Sequence, residues 1–511
     1  MRPTRGAALA TGAALLAPVL LSLTPAGCGR GEHPAPEFAP PRWPEHVASP
    51  GPAPTADRPN LILVSLDTLR ADHLSAYGDD RDTSPSCDRF AKQSTLFANA
   101  LSQAPKTAPS HMTLMTGLYP EAHRVENRFA GTEEWSGRLS PDLPTLAEIL
   151  KASGYRTLAR TGGGNVQGDL GFDRGFDSYE SPLLDAEQLL RSALADVEAL
   201  AGRPEPFFVF FHTYALHSPY LPPPAYRDRY ADPAYRGAIS SDPEALTGGS
   251  RDYTDLHRQF WKRVERASPA DRHRLVDLYD ASIRYVDDQL GRFLDGVERT
   301  GAAGRTIVVI LSDHGEEFGE HGGFEHDALW QELLHVPLLI HVPKELRPGW
   351  THRRIPESVG LVDVLPTLLD LLSISIPDHV QGRSLVPLVE TGTPTRPWNF
   401  AQYRRGGEVA LLADGWKLLR DAEGDHVYDV SADPRERVDT AAAREDVRSL
   451  AVEQIARVLA VSRAFWSLAR EGSPVDLDDD ARARLEALGY VEPEPTGGPA
   501  PGDPQDGEPA R

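Results

Sequence analysis

Short apolar runs alternate with stretches of helical periodicity through most of the chain. Nearly continuous apolar runs occur at NLILVSLD (60–67), PFFVFFHTYALH (206–217), RTIVVILSDHG (305–315) and VPLLIHVP (336–343). An uninterrupted run of this length is typical of a strand that is covered on both faces, as in a parallel sheet. These four segments therefore predict buried strands.

Helical patterns fall between and after these strands. LPTLAEILKASG (143–154) has apolar residues at helical spacing and ends at Gly154, a residue type that caps helices. Residues 271–299 predict a long amphipathic helix, and VDVLPTLLDLL (362–372) predicts a shorter one. The alternation predicts an α/β fold with a central mixed, mostly parallel sheet and helices on both faces.

The pattern changes near Pro397. EVALLADGWKLLRD and HVYDVSADPRE are typical of a hairpin followed by a turn. We therefore expect a main domain over 59–396 and a small C-terminal α+β subdomain over 397–490. The Pro- and Gly-rich end, 491–511, predicts a disordered tail.

The first 28 residues have the composition of an export signal. Arg2 and Arg5 precede an apolar run that ends in TPAGC, with Cys28 as its last residue. This ending resembles a bacterial lipoprotein signal, in which Cys28 is lipidated after cleavage. An ordinary secretory cut and a retained membrane anchor are the alternatives. All three predict a folded body outside the cytoplasm, in the periplasm or at the cell surface, with 29–58 as a Pro-rich linker.

A Cys28→Ser variant tests the lipid anchor. Without the thiol no lipid can be attached, so the variant is expected to appear in the soluble periplasmic fraction or in the medium. The measurement is fractionation of cells that express the parent and the variant side by side. Equal recovery of both proteins in the membrane fraction would contradict the lipoprotein interpretation.

The charge balance limits the partners of the protein. The formal net charge is −22, from 75 acidic and 53 basic residues. Such an excess of negative charge repels nucleic acid, so we expect no nucleic-acid partner, and no segment predicts a protein partner. An acidic protein that binds an anionic substrate needs local positive charge, which a metal ion supplies compactly.

Metal-binding residue types follow two of the predicted strands. Asp67 ends the first strand, and SDHGE places Asp313 and His314 at the end of the third. Ligands of open α/β sheets lie beyond the carboxyl ends of the strands. Two carboxylates and one imidazole suit a divalent cation such as calcium, magnesium, manganese or zinc. Gly315 would allow the backbone to approach such a ligand closely.

Several segments together resemble the sulfatase family of the alkaline-phosphatase superfamily. They are LILVSLDTLRADHLSAYG, TAPSHMTLMTGLYP, LSDHGEEFGEHG and LVDVLPTLLDLLSISIPDHVQGRSLVPL, and DHVYDVSADPRE resembles the C-terminal stretch of that family. Their order is the family's order, a combination more specific than any single motif. The resemblance implies an alkaline-phosphatase-like fold and metal-dependent hydrolysis of anionic esters.

The resemblance also assigns the central residues. Asp67, Asp313 and His314 would be metal ligands, and Thr107 would be a further ligand and the nucleophile. Sulfatases carry a Cys at this position, which is oxidised to formylglycine, and Thr cannot undergo that conversion. The second acid that the family carries after the first strand is Thr68 here.

Thr107 has two interpretations. As a nucleophile, its hydroxyl would be activated by a metal ion or a neighbouring base. As a structural residue, it would only begin a helix whose core face contains Met112 and Met115. In the first case, Ser110 and His111, near the start of that helix, would bind the substrate anion through backbone N–H groups. His111 replaces the family's usual Arg.

Four histidines near the predicted strand ends differ in what we expect of them. His217, in FFHTYALHSPY, and His326, in EHGGFEHDALW, resemble the positions at which family members face the substrate anion. We expect these two to stabilise the transferred group or to protonate the leaving oxygen. His212 is either a second contact or a strand-end residue, and we favour the strand-end interpretation; His321 is either a further contact or a loop residue.

The predicted activity is sulfatase-family, metal-dependent hydrolysis of a sulfate, phosphate or phosphonate ester by a Thr nucleophile. A Thr phosphate can be resolved by a second direct displacement, whereas a Thr sulfate lacks the elimination route that formylglycine offers, so phosphorus esters are favoured. One alternative is a transferase that passes a phospho-alcohol group to an envelope lipid or glycan. The other is a family member that binds anions without turnover.

Overall fold

The computed structural model describes residues 58–127, 138–182, 185–240, 242, 260, 262, 264, 267–350, 352–404 and 407–466. The expected export signal and the linker up to residue 57, and the C-terminal tail from 491, lie outside the described residues. So do residues 467–490 of the expected C-terminal subdomain. Among the described residues, no helix combines the length and the apolar composition needed to cross a bilayer.

The strands are β1 (Asn60–Leu66), β2 (Thr95–Leu101), β3 (Arg156–Arg160), β4 (Ser178–Glu180), β5 (Phe207–Thr213), β6 (Thr306–Leu311), β7 (Glu317–Phe318), β8 (Phe324–Glu325), β9 (His335–Val336), β10 (Leu338–His341), β11 (Arg353–Gly360), β12 (Trp398–Tyr403), β13 (Glu408–Ala413), β14 (Trp416–Arg420) and β15 (Asp425–Asp429). The α-helices are α1 (Pro85–Ala91), α2 (Thr107–Thr116), α3 (Pro120–His123), α4 (Leu146–Ala152), α5 (Ala186–Ala201), α6 (Pro224–Arg227), α7 (Pro269–Arg299), α8 (Gln331–Leu334), α9 (Val364–Leu371), α10 (Val386–Thr391) and α11 (Glu445–Trp466).

The central sheet has the strand order β11-β2-β10-β6-β1-β5-β3-β4, and β9 pairs with β2. Strands β6, β1, β5, β3 and β4 are parallel to their neighbours in this order. Strand β10 runs antiparallel to both β6 and β2, and β2 pairs in parallel with β11. The prediction of a mixed, mostly parallel sheet is confirmed.

Helices cover both faces of this sheet. Because side chains alternate along a strand, Leu61 and Leu63 of β1 join one hydrophobic cluster and Ile62 and Val64 join another. The first cluster contains residues of α2, α4 and α9, and the second contains residues of α1, α5 and α7. Burial on both faces explains why the run at 60–67 is continuously apolar rather than alternating.

Most predicted elements are present. Helix α4 lies within 143–154, α7 begins with a Ser268 capping box and covers 271–299, and α9 lies within 362–372. The apolar run at 336–343 differs from the prediction, because Pro337 interrupts it and divides it into β9 and β10. A proline has no N–H to donate to a neighbouring strand, which is the physical reason for the break.

A second, four-stranded antiparallel sheet follows the main domain, in the order β12-β13-β14-β15. The predicted hairpin is β13 and β14, joined through Asp414 and Gly415, both with positive φ. Helix α11 follows this sheet. The expected C-terminal α+β subdomain is therefore confirmed over the described part of its range.

Candidate active site

Neighbouring strands bring the predicted metal ligands together. In the sheet order, β1 lies between β6 and β5, so the residues that follow these strands meet at one edge. Asp67 directly follows β1, and Asp313 and His314 follow β6 by one and two residues. One ligand atom of each lies within 4.8 Å of the others, and all three side chains are buried.

Thr107 is the first residue of α2. Lys106 has an extended conformation before it, and Gly117, with a positive φ, ends the helix. The Thr107 hydroxyl oxygen lies 3.3 Å from Nε2 of His314, and the Thr107 side chain has no solvent exposure. The structure thus brings the predicted nucleophile to the predicted metal ligands across a large sequence distance.

The tautomer of His314 follows from its second nitrogen. Nδ1 donates to the Gly315 carbonyl at 2.9 Å, which leaves the lone pair of Nε2 directed to Thr107. Burial lowers the pKa of His314 well below its usual value, so the ring is neutral. Gly315 serves a different purpose from the one we expected: a Cβ there would lie 1.9 Å from the Glu332 carbonyl oxygen. The close approach is to protein backbone.

Each of the two carboxyl groups has one oxygen without a hydrogen-bond partner among the described residues, and the pKa of both is raised. Burial raises the pKa of Asp67 to about 8, although the nearby Asp313 carboxyl and Thr107 hydroxyl lower it. Burial and the charge of Asp67 raise the pKa of Asp313 well above its usual value. Oδ1 of Asp67 and Oδ2 of Asp313 are buried and accept no hydrogen bond from the described residues. Two such oxygens beside the His314 lone pair fit a divalent cation.

Thr68 does not supply the ligand that the second family acid would supply. Its hydroxyl donates to the Asp67 carbonyl at 2.7 Å, and its backbone N–H donates to Oδ1 of Asp313 at 3.3 Å. Its φ of 58° is unusual for a β-branched residue. Thr68 therefore positions Asp313 through its backbone, and its hydroxyl is used in the bond to the Asp67 carbonyl.

His212 is part of the site, contrary to our interpretation of it as a strand-end residue without chemistry. The Gly162 N–H points to Nδ1 at 3.4 Å, so the ring carries its proton on Nε2, which lies 3.2 Å from Oδ2 of Asp67. Burial lowers the pKa of His212 to about 3, and the ring is neutral. His212 thus orients Asp67, and only the pairing of β5 with β1 reveals this contact.

His111 and Ser110 form hydrogen bonds to other residues of the site. The expected contacts between their backbone N–H groups and a substrate anion therefore need correction. Nδ1 of His111 bonds the Thr107 carbonyl at 2.9 Å, and Nε2 bonds the Ser65 hydroxyl at 2.9 Å. The Ser110 hydroxyl donates to the Asp313 carbonyl at 2.7 Å, and its backbone N–H donates to Lys106. The hydroxyl and backbone N–H of Ser110 and the ring of His111 thus already have partners within the protein. Helix α2, which contains both residues, is buried along its whole length.

His217 and His326 lie next to the metal-ligand group. The rings of His326 and His314 stack with centroids 4.5 Å apart, and those of His217 and His326 meet edge to face at 5.2 Å. Nδ1 of His326 lies 3.4 Å from Oε1 of Glu316, a buried residue that sequence reasoning missed. The structure therefore brings both predicted histidines to the side of the site that contains His314.

A second group of metal-ligating residue types lies apart from this site. Ligand atoms of His321, Glu332 and Glu436 lie within 4.8 Å of one another. His321 stacks on Trp330 with centroids 3.9 Å apart, and Lys417 lies 2.6 Å from Glu436. Contacts between opposite charges account for this group, in which Glu332 lies 3.1 Å from Nε2 of His321.

Comparison with known proteins identifies the family. The sulfatase family model matches residues 59–374, which is more than half of the chain. The chain belongs to the sulfatase family. A second model, for the C-terminal region of N-sulphoglucosamine sulphohydrolase, matches residues 319–460. This sulfatase is an ester hydrolase by class.

Individual relatives are distant. An arylsulfatase of Clostridium perfringens is 25% identical over 74% of this chain and 89% of its own length. An N-acetylglucosamine-6-O-sulfatase of Bacteroides thetaiotaomicron is 25% identical over 74% of this chain and 82% of its own length. The solved phosphonate monoester hydrolase of Agrobacterium radiobacter has a TM-score of 0.64 at 22% identity, covering 79% of this chain and 96% of its own. That likeness confirms the alkaline-phosphatase-like fold.

The raised carboxyl pKa values predict an unusual pH dependence of stability in the metal-free protein. Folding holds protons on Asp67 and Asp313 that the unfolded chain releases near pH 4, so this contribution to stability is complete below that pH. It is lost as the pH rises through the folded pKa, which is about 8 for Asp67. The unfolding free energy of the metal-free sulfatase should therefore fall between pH 5 and pH 8.

A divalent cation should reverse this loss, because it binds the deprotonated carboxylates. We expect added Ca²⁺, Mg²⁺, Mn²⁺ or Zn²⁺ to raise the melting temperature more at pH 8 than at pH 5. Differential scanning fluorimetry on protein stripped with a chelator measures this. A metal-induced shift that is absent at both pH values would contradict the assignment of these residues as ligands.

Proposed function

We propose that this sulfatase hydrolyses an anionic ester with unmodified Thr107 as the covalent nucleophile and with a divalent metal ion held by Asp67, Asp313 and His314. The observation that carries the proposal is the position of the Thr107 hydroxyl, which lies 3.3 Å from Nε2 of His314 and interacts with the Asp67 carboxyl group. A Thr that only begins a helix does not need to contact these groups.

The bound cation would stabilise the alkoxide form of Thr107 and the negative charge of the substrate ester. His212 holds the Asp67 carboxylate, and His111 holds the Thr107 carbonyl, so the first turn of α2 is fixed in position. Such fixed geometry supports catalysis because no reorganisation is needed at the moment of reaction. The Thr107 oxygen forms a bond to phosphorus or sulfur, and the bond from that atom to the leaving alcohol oxygen breaks.

His217 and His326 are suited to the proton transfer. Nδ1 of His217 donates to the Ser218 carbonyl at 2.9 Å, so the reactive nitrogen is Nε2. In its protonated form, either histidine would donate a proton to the leaving alcohol oxygen. The same ring then accepts a proton from the water that attacks the covalent intermediate, and the bond from the central atom to the Thr107 oxygen breaks. The Thr107 hydroxyl proton, given up to solvent when the oxygen attacks, is taken back from solvent at this point.

Phosphoester or phosphonate substrates are favoured over sulfate esters for this residue set. Resolution of the Thr107 intermediate requires attack on the central atom by water, a step that suits a phosphorylated Thr. A sulfated Thr has no aldehyde hydrate from which sulfate could be eliminated. Two carboxylates and an imidazole suit each of the four candidate cations.

A substrate screen with metal analysis tests the proposal. Purified protein is analysed for bound metal and is then assayed with aryl sulfates, phosphate monoesters and diesters, and phosphonate monoesters. Release of alcohol from a phosphorus ester, dependent on the metal, is the expected result. Transfer of the phospho-alcohol group to an added acceptor would instead support the transferase, and binding without product would support an anion-binding protein.

The cellular location is proposed together with the activity. The lipoprotein-like ending at Cys28 and the Pro-rich linker that follows it support an exported enzyme that is tethered to a membrane. The fractionation of the Cys28→Ser variant described above tests this part independently of catalysis.

A further inference from the structure

Two residues beside the proposed catalytic pair form an ion pair with each other. Lys106 directly precedes Thr107 in sequence, and Asp327 directly follows His326. Nζ of Lys106 lies 2.5 Å from Oδ1 of Asp327, and the Lys106 side chain is only 6% exposed. One ion pair therefore joins the segment that contains the proposed nucleophile to a segment that contains a proposed proton donor.

The C-terminal sheet anchors the segment that follows His326. The hydroxyl of Tyr403, the last residue of β12, donates to Oδ1 of Asp327 at 2.6 Å. Nζ of Lys417, in β14, donates to the Leu329 carbonyl. Strand β8, which ends directly before His326, is two residues long and pairs with the equally short β7. The C-terminal sheet thus holds the chain at two points within three residues of His326.

The charges around Asp327 favour its ionised form. Burial would raise the pKa of Asp327, but the charge of Lys106 and hydrogen bonds from Lys106 and Tyr403 hold it below its usual value. The charge of Arg404 acts in the same direction, and its guanidinium lies 4.9 Å from the centre of the Tyr403 ring. The Asp327 side chain is half exposed, whereas Lys106 is buried, and a buried ammonium group needs such a partner.

Other contacts fix each of the two segments by itself. The N–H of Ala108 donates to Oδ1 of Asn127 at 2.7 Å, which fixes the chain after Thr107. The His326 ring stacks on His314 with centroids 4.5 Å apart. Stacked rings can slide over each other, whereas a hydrogen-bonded ion pair sets both a distance and a direction. The ion pair is therefore suited to set the spacing between the two segments.

We infer that Asp327 is a positioning residue for the proton donor His326. Its ion pair with Lys106 sets the distance between His326 and Thr107, and the C-terminal sheet completes the arrangement through Tyr403. The inference rests on the proposed function, in which Thr107 attacks and His326 protonates the leaving oxygen. A displacement of about 1 Å in a catalytic group can slow a reaction about 100-fold, so such positioning matters for the rate.

Leaving groups of different acidity test this inference. A 4-nitrophenolate leaves without a proton, whereas the more basic phenolate depends on protonation. The 4-nitrophenyl and phenyl esters of phosphate, phenylphosphonate and sulfate are compared in the parent and in Asp327→Asn. The variant should lower kcat/KM at least about tenfold for the phenyl ester but less than about threefold for the 4-nitrophenyl ester. A variant that is only less well folded would lose both activities by the same factor.

Further variants test the members of the network. Tyr403→Phe removes one hydrogen bond to Asp327 and should shift the ratio of the two esters in the same direction by a smaller factor. Lys106→Met should match Asp327→Asn, and the double variant should be no worse than either, because the two residues act as a pair. Asp425→Asn is the matched control: Asp425 pairs with Arg420 at 2.6 Å in the same sheet, on its opposite edge strand β15, and its loss should leave the ratio unchanged. A loss in Lys106→Met that is absent in Asp327→Asn would overturn the inference, because Lys106 would then act on the substrate directly.

Hydrogen exchange separates this inference from the proposed function. Deuterium uptake of the purified protein is measured by mass spectrometry for a peptide that covers 324–330. In Asp327→Asn its amides should exchange about tenfold faster than in the parent, while Asp425→Asn leaves them unchanged. If esters are hydrolysed and Asp327→Asn keeps the parent's ratio, the inference is overturned and the proposed function stands. If no ester is hydrolysed, the proposed function fails, and exchange decides alone: faster uptake supports the positioning role of Asp327, and unchanged uptake overturns it.

Discussion

Replacing Thr107 with Ala is expected to lower turnover by several orders of magnitude. The remaining groups could stabilise charge, but none of them would form the covalent bond that divides the reaction into two steps. Thr107→Ser should keep activity within about tenfold of the parent, because it retains the hydroxyl and loses only the methyl group that restricts the rotamer. Steady-state kinetics with the best substrate of the screen measures both effects.

The covalent intermediate can be observed directly. Protein quenched during turnover and analysed by mass spectrometry should carry a phosphoryl- or sulfuryl-sized adduct on the peptide that contains Thr107, and the mass decides which group is transferred. Thr116→Ala is the control: Thr116 lies in the same helix, and its hydroxyl bonds the Met112 carbonyl. If Thr107→Ala hydrolyses substrate like the parent, the nucleophile is a water molecule and Thr107 only begins a helix.

Local sequence patterns predicted the parts of the site that depend on one strand end each. Asp67, Asp313 and His314 follow apolar runs, and these runs were sufficient to predict β1 and β6 as buried strands. A polar residue after such a strand lies at the edge where ligands bind. The position of Thr107 beside His314 was predicted only through the resemblance to sulfatases, because no local pattern connects residues 207 positions apart.

The contacts between elements could not be predicted from one sequence. His212 orients Asp67 because β5 pairs with β1 in a register that sets Ser65 opposite His212. The carboxyl group of Glu316 lies next to His326 after the β7–β8 hairpin has turned the chain back. Neither residue has a neighbour in sequence that would distinguish it from an ordinary buried His or Glu.

Pattern reasoning also missed strands of mixed character. In β11 the burial alternates irregularly, with Arg353, Arg354 and Glu357 exposed, and a register shift against β2 lies between Ile355 and Ser358. Such a bulge disturbs the alternation on which a prediction depends. The antiparallel direction of β10 follows from tertiary pairing and has no signal in its apolar run.

Removal of the metal is expected to abolish activity, and Asp313→Ala or Asp313→Asn should do the same without unfolding the protein. Asp313 is a buried carboxyl group whose pKa is raised by burial and by Asp67, so its charge is unfavourable in the folded protein unless a cation is bound. Because Asp313 is already held protonated in the metal-free protein, the neutral and nearly isosteric Asn should leave the melting temperature of that form close to the parent's. Elemental analysis should show less bound metal in both variants.

Asp363→Ala provides the contrasting control in the same experiment. Asp363 is also fully buried, but both of its oxygens bond the guanidinium of Arg396, at 2.7 and 2.6 Å. Its loss leaves an unpaired buried charge and should destabilise the fold by about 3–5 kcal/mol, while the metal content of the folded fraction stays the same. Comparison of the Asp313 and Asp363 variants would thus distinguish the loss of metal binding from the loss of a structural ion pair. Full activity in metal-stripped protein, or in Asp313→Ala, would remove the metal from the mechanism. Asp67 and Asp313 would then be a buried pair of carboxyl groups that share a proton, because two carboxyl groups this close ionise together only when a cation is present.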